Sequence, residues 1–101
     1  MTDMDAQFIA YVGDPEIHDG IITDFEHQGI KASVTIKTQS GRMLKIEFDG
    51  VVSVKSNKPE GMMLYSLSEM KHPEHRLFVF TNWEEEDDAY LEITADSYRV
   101  K

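Results

Sequence analysis

The feature that most constrains the fold of this chain is a strict alternation of apolar and polar residues from Lys31 to Lys37. In an extended chain, Ala32, Val34 and Ile36 lie on one side, and the lysine and hydroxyl side chains lie on the other. The β-branched residues of this segment also favour a strand. The pattern therefore predicts a strand with one buried face and one solvated face.

Three further segments predict strands. Ala89–Val100 alternates as regularly as the first segment. Gly20–Glu26 is begun by the turn-type pair Asp19-Gly20. Arg76–Trp83 is apolar on both faces, which predicts a strand covered from both sides.

The segment Met43–Lys55 predicts one long bent strand. A hairpin turn at Asp49-Gly50 would set the apolar face of residues 44, 46 and 48 opposite largely polar residues, so that face would gain no apolar cross-strand contacts. A continuous strand keeps Val52 and Val54 in phase with that face, and Gly50 then serves as a kink or bulge.

Two segments predict short helices. Thr2–Val12 places apolar residues at helical spacing and is followed by Pro15. Met62–Met70 is ambiguous, because its apolar residues fit a helical stripe and also alternate; its methionine, leucine and glutamate content favours the helix.

These elements predict an α+β fold. Strands joined by short loops are normally antiparallel. We therefore expect a curved antiparallel sheet of about five strands, or an open barrel, packed with one or two short helices. A length of 101 residues predicts a single domain over 1–101.

Composition narrows the classes of function. The formal net charge of -9 disfavours nucleic-acid binding and favours a basic partner. The chain has no cysteine, which excludes disulfides and thiolate metal sites and favours a reducing cytoplasm. The acidic start does not resemble a secretory signal, and no apolar run is long enough to cross a membrane.

Motifs of catalysis are missing from the sequence. Zinc or another transition metal needs three or four converging ligands, yet His18, Asp19, His72 and His75 follow no ligand spacing. They are interpreted as surface and turn residues. The sequence also lacks a nucleophile elbow, a dinucleotide fingerprint and a phosphate loop. We therefore predict a protein that is not an enzyme and binds no cofactor.

The candidate site is an aromatic residue followed by an acidic run. A tryptophan beside a negative patch is typical of an anchor in a protein interface. The run lacks the spaced ligands and central glycine of a calcium-binding EF-hand loop. Two alternatives stay open: the run is a solvated hairpin loop, and the tryptophan closes one end of the core. The residues predicted to bind a protein partner are Trp83, Glu84, Glu85, Glu86, Asp87 and Asp88.

Several turn-and-strand motifs carry a family resemblance. His18-Asp19-Gly20 precedes a strand, Gly41-Arg42 precedes another strand that ends in Phe48-Asp49-Gly50-Val51, and the chain closes with Leu91-Glu92-Ile93-Thr94-Ala95. This pattern resembles small bacterial β-rich domains, some of which are grouped with immunity proteins that sit beside polymorphic toxins and neutralise them. The resemblance implies a bacterial cytoplasmic protein and carries over no catalytic residue.

The sequence thus predicts a non-enzymatic protein-binding domain of immunity or inhibitor type that uses an acidic surface. The alternative is a small-molecule or lipid carrier, in which Tyr65, Phe78, Phe80 and the methionines enclose an apolar pocket. A third hypothesis is a metal-dependent enzyme that uses His18, Asp19, His72 and His75. A homodimer through an edge strand or an apolar face is left open.

Overall fold

A computed structural model describes residues 8–11, 15–84 and 86–100. The described residues form nine strands and a short 3₁₀ helix, Pro15–Ile17. The strands are β1 (Phe8–Tyr11), β2 (Ile21–Gln28), β3 (Lys31–Lys37), β4 (Met43–Asp49), β5 (Ser53–Asn57), β6 (Leu64–Lys71), β7 (Arg76–Asn82), β8 (Tyr90–Ala95) and β9 (Ser97–Val100).

The strands form two antiparallel sheets. The five-stranded sheet, called sheet A, has the order β1-β6-β7-β8-β5, and the four-stranded sheet, called sheet B, has the order β2-β3-β4-β9. In sheet B, β3 pairs with β4 along its whole length, from Lys31 opposite Asp49 to Lys37 opposite Met43. The prediction of antiparallel strands is confirmed.

The inner faces of the two sheets share a common core. Phe48 of sheet B lies with its ring centroid 5.0 Å from that of Phe78 and 6.1 Å from that of Phe80, both in sheet A. The alternating positions predicted for β3 and β4 are all buried there. Removal of these apolar faces from water, at roughly 25 cal/mol per Å², is the main force that holds the sheets together.

Two of the points at which the chain passes between the sheets are neighbours. Between β4 and β5 it turns at Gly50, which has a φ of 67°, and between β8 and β9 it bends at Asp96. The two crossings are tied together, because the amide of Asp96 donates a hydrogen bond of 3.0 Å to the carbonyl of Asp49.

The start of β2 joins the start of β6 at another corner. The amide of Leu64 donates to the carbonyl of Gly20 (2.7 Å), and the amide of Ile22 donates to the carbonyl of Met62 (3.0 Å). Ile21 and Met63 form an antiparallel bridge between these segments. This corner brings the turn at residues 18–20 against the end of sheet A.

The α+β prediction is wrong. Strands make up 64% of the described residues, and the one helical element among them is the three-residue 3₁₀ helix. The single curved sheet is also wrong, since nine strands divide between two sheets.

The predicted helix Met62–Met70 is instead strand β6, which lies between β1 and β7. A β-bulge between Leu64 and Ser66 inserts an extra residue, so the buried Leu64 and Leu67 are three positions apart. A spacing of three resembles a helical stripe. The helix was predicted because the methionine, leucine and glutamate content favours one, and pairing with β1 and β7 outweighs that local preference.

The predicted helix Thr2–Val12 is contradicted where it can be compared. Phe8–Tyr11 forms β1, which pairs with β6 at the edge of sheet A. The rest of that prediction, residues 2–7 and 12, lies outside the described residues. Hydrogen bonds to an existing strand outweigh the weak helical preference of such a short segment.

The other strand predictions are confirmed in part. Lys31–Lys37 has the predicted bounds, and no hairpin pairs β4 with β5 among the described strands. Met43–Lys55 is broken into two strands at Gly50, and Ala89–Val100 is broken at Asp96, because the chain changes sheets at each point. Arg76–Trp83 corresponds to β7, whose outer face is half-buried and not fully covered.

Candidate functional site

Three exposed aromatic side chains meet at the corner where β2 and β6 begin. The rings of Tyr65 and Trp83 stack at a centroid distance of 5.3 Å and an interplanar angle of 15°. His18 packs edge-on against both, at 5.1 Å from Tyr65 and 5.7 Å from Trp83. Tyr65 is 44% exposed and Trp83 is 46% exposed, so we treat these three residues as one surface feature, the aromatic cluster.

Backbone geometry places each member of the aromatic cluster. Tyr65 is at the β-bulge of β6, a feature that redirects side chains and is common beside functional sites. Trp83 is fixed by a hydrogen bond of 2.9 Å from its amide to the carbonyl of Met63. His18 lies in the turn before β2, where Asp19 has a φ of 69°. The three side chains therefore come from three separate parts of the chain.

His18 also contacts its neighbour in sequence. The distance from His18 Nδ1 to Asp19 Oδ2 is 3.2 Å. On a strand, adjacent side chains point to opposite faces and are kept apart. The left-handed conformation of Asp19 removes that separation and brings the imidazole and the carboxylate together.

The run of acidic residues 84–88, called the acidic loop, begins directly after Trp83. Asn82 organises it: the Asn82 Nδ2 group donates to Asp87 Oδ2 (3.2 Å) and to the carbonyl of Ala89 (3.1 Å). The amide of Glu84 donates to Asn82 Oδ1 (2.8 Å), and the amide of Ala89 donates to Asp87 Oδ1 (3.2 Å). These bonds close the loop and hold it against the end of β7.

Asp87 is consequently a structural residue of the loop. The hydrogen bond from Asn82, followed by the bond from the Ala89 amide, lowers the pKa of the Asp87 carboxyl below its ordinary value. Both of its carboxylate oxygens accept bonds from within the loop. Its contribution to a binding surface is to fix the shape of the loop.

Every other described residue of the predicted site is exposed to solvent. Trp83, Glu84, Glu86 and Asp88 are exposed, and the carbonyl of Asp88 accepts a hydrogen bond of 3.0 Å from Asn57 Nδ2. Glu85 lies outside the described residues. The exposure of Trp83 agrees with an interface anchor better than with a plug at the end of the core.

Sequence reasoning did not place His18 or Tyr65 in this site. His18 precedes Trp83 by 65 positions, and Tyr65 was assigned to a helix. No local pattern signals their contact, because it depends on the corner between the sheets and on the bulge in β6.

The four residues of the metal-enzyme hypothesis lie at two distant places. His18 and Asp19 are beside the start of β6, whereas His72 and His75 follow its end. A strand of eight residues is roughly 23 Å long at about 3.3 Å per step. His75 instead contacts Asp96. Among the residues described, no group of three or more His, Asp and Glu side chains has a geometry that could hold a metal ion.

The residues of the carrier hypothesis also separate. Phe78 and Phe80 are buried against Phe48 in the common core. Tyr65 is outside that core and stacks on Trp83. No helix within the described part of the chain has the length and apolar character that crossing a bilayer requires.

A polar groove of about 270 Å³ lies on the outer face of sheet B. Two of its basic side chains pair with acidic neighbours: Lys31 with Asp49 at 3.6 Å and Arg99 with Glu47 at 3.1 Å. Because both signs alternate along this face, its charges largely cancel. The acidic loop carries one sign of charge only.

Comparison with known proteins adds no relative. No family model matches the chain, and neither curated proteins nor solved structures gave a match.

Proposed function

We propose that this chain is a non-enzymatic protein-binding domain, and that the aromatic cluster and the acidic loop together form its binding surface for a basic protein. An inhibitor of immunity type, acting in a bacterial cytoplasm, is the concrete form of this proposal, in line with the resemblance drawn from the sequence. Such a role needs no catalytic group.

The observation that carries the proposal is the exposure of the stacked pair Tyr65 and Trp83 next to a fixed negative loop. Large aromatic residues that protrude from a rigid surface dominate the binding energy of many interfaces. The acidic loop adds electrostatic steering towards a positive partner. Its internal hydrogen bonds reduce the conformational entropy that binding would cost.

The first prediction concerns Trp83. Immobilised wild-type protein and its Trp83→Ala variant are used to capture proteins from the source lysate, and captured proteins are identified by mass spectrometry. A basic protein retained by the wild type should be lost with the variant, because truncation of a central aromatic residue weakens binding at least tenfold. Calorimetry with the purified partner should show affinity falling as salt rises from about 0.1 M to about 1 M.

Ile30→Ala is the matched control. Ile30 is an exposed apolar residue in the turn between β2 and β3, at the far end of β2 from His18. This variant should capture the same partner as the wild type. Charge removal by Glu84→Gln with Glu86→Gln provides a second test that leaves the aromatic cluster intact. If wild type, Trp83→Ala and the double variant retain the same proteins, the proposed surface is wrong.

A further inference from the structure

We infer that the basic partner presents an arginine to the Trp83–Tyr65 stack, and that the surface discriminates against lysine at that position. This inference rests on the proposed function and adds the chemical identity of the group that is recognised. It follows from the shape of the aromatic cluster and from the charges beside it.

The stack offers a flat surface. Its two rings are within 15° of parallel, and each is close to half exposed. One face of each ring is directed at the other ring, so the solvent-accessible area belongs to outer faces and edges. His18 packs edge-on against both rings and limits their rotation. A planar group can therefore lie on an aromatic face whose orientation is already set.

A guanidinium group matches this surface better than an ammonium group. It is planar, is less strongly hydrated and stacks on aromatic faces, whereas an ammonium group is a compact and well-hydrated point charge. Its N–H donors can also pair with a nearby carboxylate, as those of an ammonium group can. Glu84 directly follows Trp83, and Glu86 is exposed in the same loop. One arginine side chain can then combine stacking with a charge-assisted hydrogen bond.

The acidic loop alone would not discriminate between the two cations. Exposed carboxylates attract lysine and arginine to a similar extent through net charge. Selectivity for arginine depends on the aromatic rings, and attraction depends on the carboxylates. The two contributions are separable by mutation.

The test compares two peptides of equal length and equal charge, one with arginine as its only basic residue type and the other with lysine. Trp83 is the single tryptophan of the chain, so its fluorescence reports binding at the proposed position. At low ionic strength the arginine peptide should bind the wild type about fivefold more tightly or better. Trp83→Phe, measured by calorimetry because it lacks the tryptophan reporter, should keep most of this preference, since a phenylalanine ring can still stack on Tyr65.

Tyr65→Ala removes the ring that stacks on Trp83 and sets its orientation, so the affinity for arginine should fall to that for lysine, with Trp83 still present as the reporter. Glu84→Gln with Glu86→Gln should weaken both peptides by the same factor and leave the preference unchanged. Circular dichroism of each variant confirms that the fold is retained.

The outcomes separate the two proposals. Equal affinity of the wild type for both peptides overturns the arginine inference and leaves a surface for basic partners in place. A preference that survives Tyr65→Ala also overturns it. If neither peptide binds the wild type, the cationic-partner proposal and the arginine inference both fail.

Discussion

At the scale of single residues, Gly50 marks the place where the chain passes from sheet B to sheet A. Its φ of 67° lies in the left-handed region, which residues with a Cβ atom adopt at a cost. A Cβ atom at this position would also overlap with the side chain of Asp96. Asp96 in turn contacts His75, which lies in the turn between β6 and β7. The absence of a side chain at Gly50 therefore lets the β4–β5 crossing, the β8–β9 crossing and this turn lie close together.

Gly50→Ala is therefore expected to lower the free energy of unfolding by about 2–3 kcal/mol, measured by urea denaturation. Gly29→Ala is the matched control. Gly29 has a similar φ of 57°, but a Cβ atom there would meet nothing within 4 Å, so it should cost only about 1 kcal/mol. Equal losses of unfolding free energy for the two variants would show that overlap of the added Cβ atom with Asp96 has no cost.

At the scale of elements, the acidic loop depends on the link between Asn82 and Asp87. The folded loop favours the ionised carboxylate, so the pKa of Asp87 is lower in the folded chain than in the unfolded chain. The resulting contribution to stability is complete above the ordinary pKa of an aspartate, about 3.9. It is lost as the pH falls through the lowered pKa of the folded loop.

Asn82→Ala should raise the pKa of Asp87 towards its ordinary value, because the largest cause of the shift is removed. An NMR titration of the Asp87 carboxyl carbon measures this directly. Asn57→Ala is the control, since Asn57 donates to the carbonyl of Asp88 and not to Asp87. An unchanged titration in Asn82→Ala would show that the backbone of the loop, and not the asparagine, sets the pKa.

At the scale of the whole molecule, the strands of the two sheets differ in how well their backbone amides are protected from hydrogen exchange. In each sheet the inner strands have hydrogen-bonded neighbours on both sides, whereas β1 and β5 form the edges of sheet A and β2 and β9 form those of sheet B. The edge strands β1 and β9 have only four residues each. Local opening should therefore begin at these short edges.

Hydrogen exchange should follow that order. We expect the slowest amide exchange in β3 and β7, at Val34 and Phe78, and the fastest exchange of the strands in β1 and β9. Exchange measured residue by residue by NMR at neutral pH checks this expectation. Protection of β9 equal to that of β3 would mean that the sheets open as one cooperative unit and that the edge strands do not open separately.

The candidate site shows which of its residues could be predicted from the sequence. Trp83 and the exposed acidic residues after it were recognisable from composition and order along the chain. Tyr65 was not, because the residue content of its segment favoured a helix, and its stacking on Trp83 joins two different strands' ends. His18 was not, because its contact with Trp83 spans most of the chain and depends on a corner between two sheets.

The sequence by itself determined which side of each regular strand is buried, as in β3, β4 and β8. That property is local: successive side chains of an extended backbone point to opposite faces, so apolar spacing alone assigns the faces. The tertiary structure decided how many sheets there are, that β6 is a strand, and which aromatic residues meet. Those properties depend on hydrogen bonds and packing between distant segments, whose free energy outweighs local preference and leaves no periodic trace in the chain.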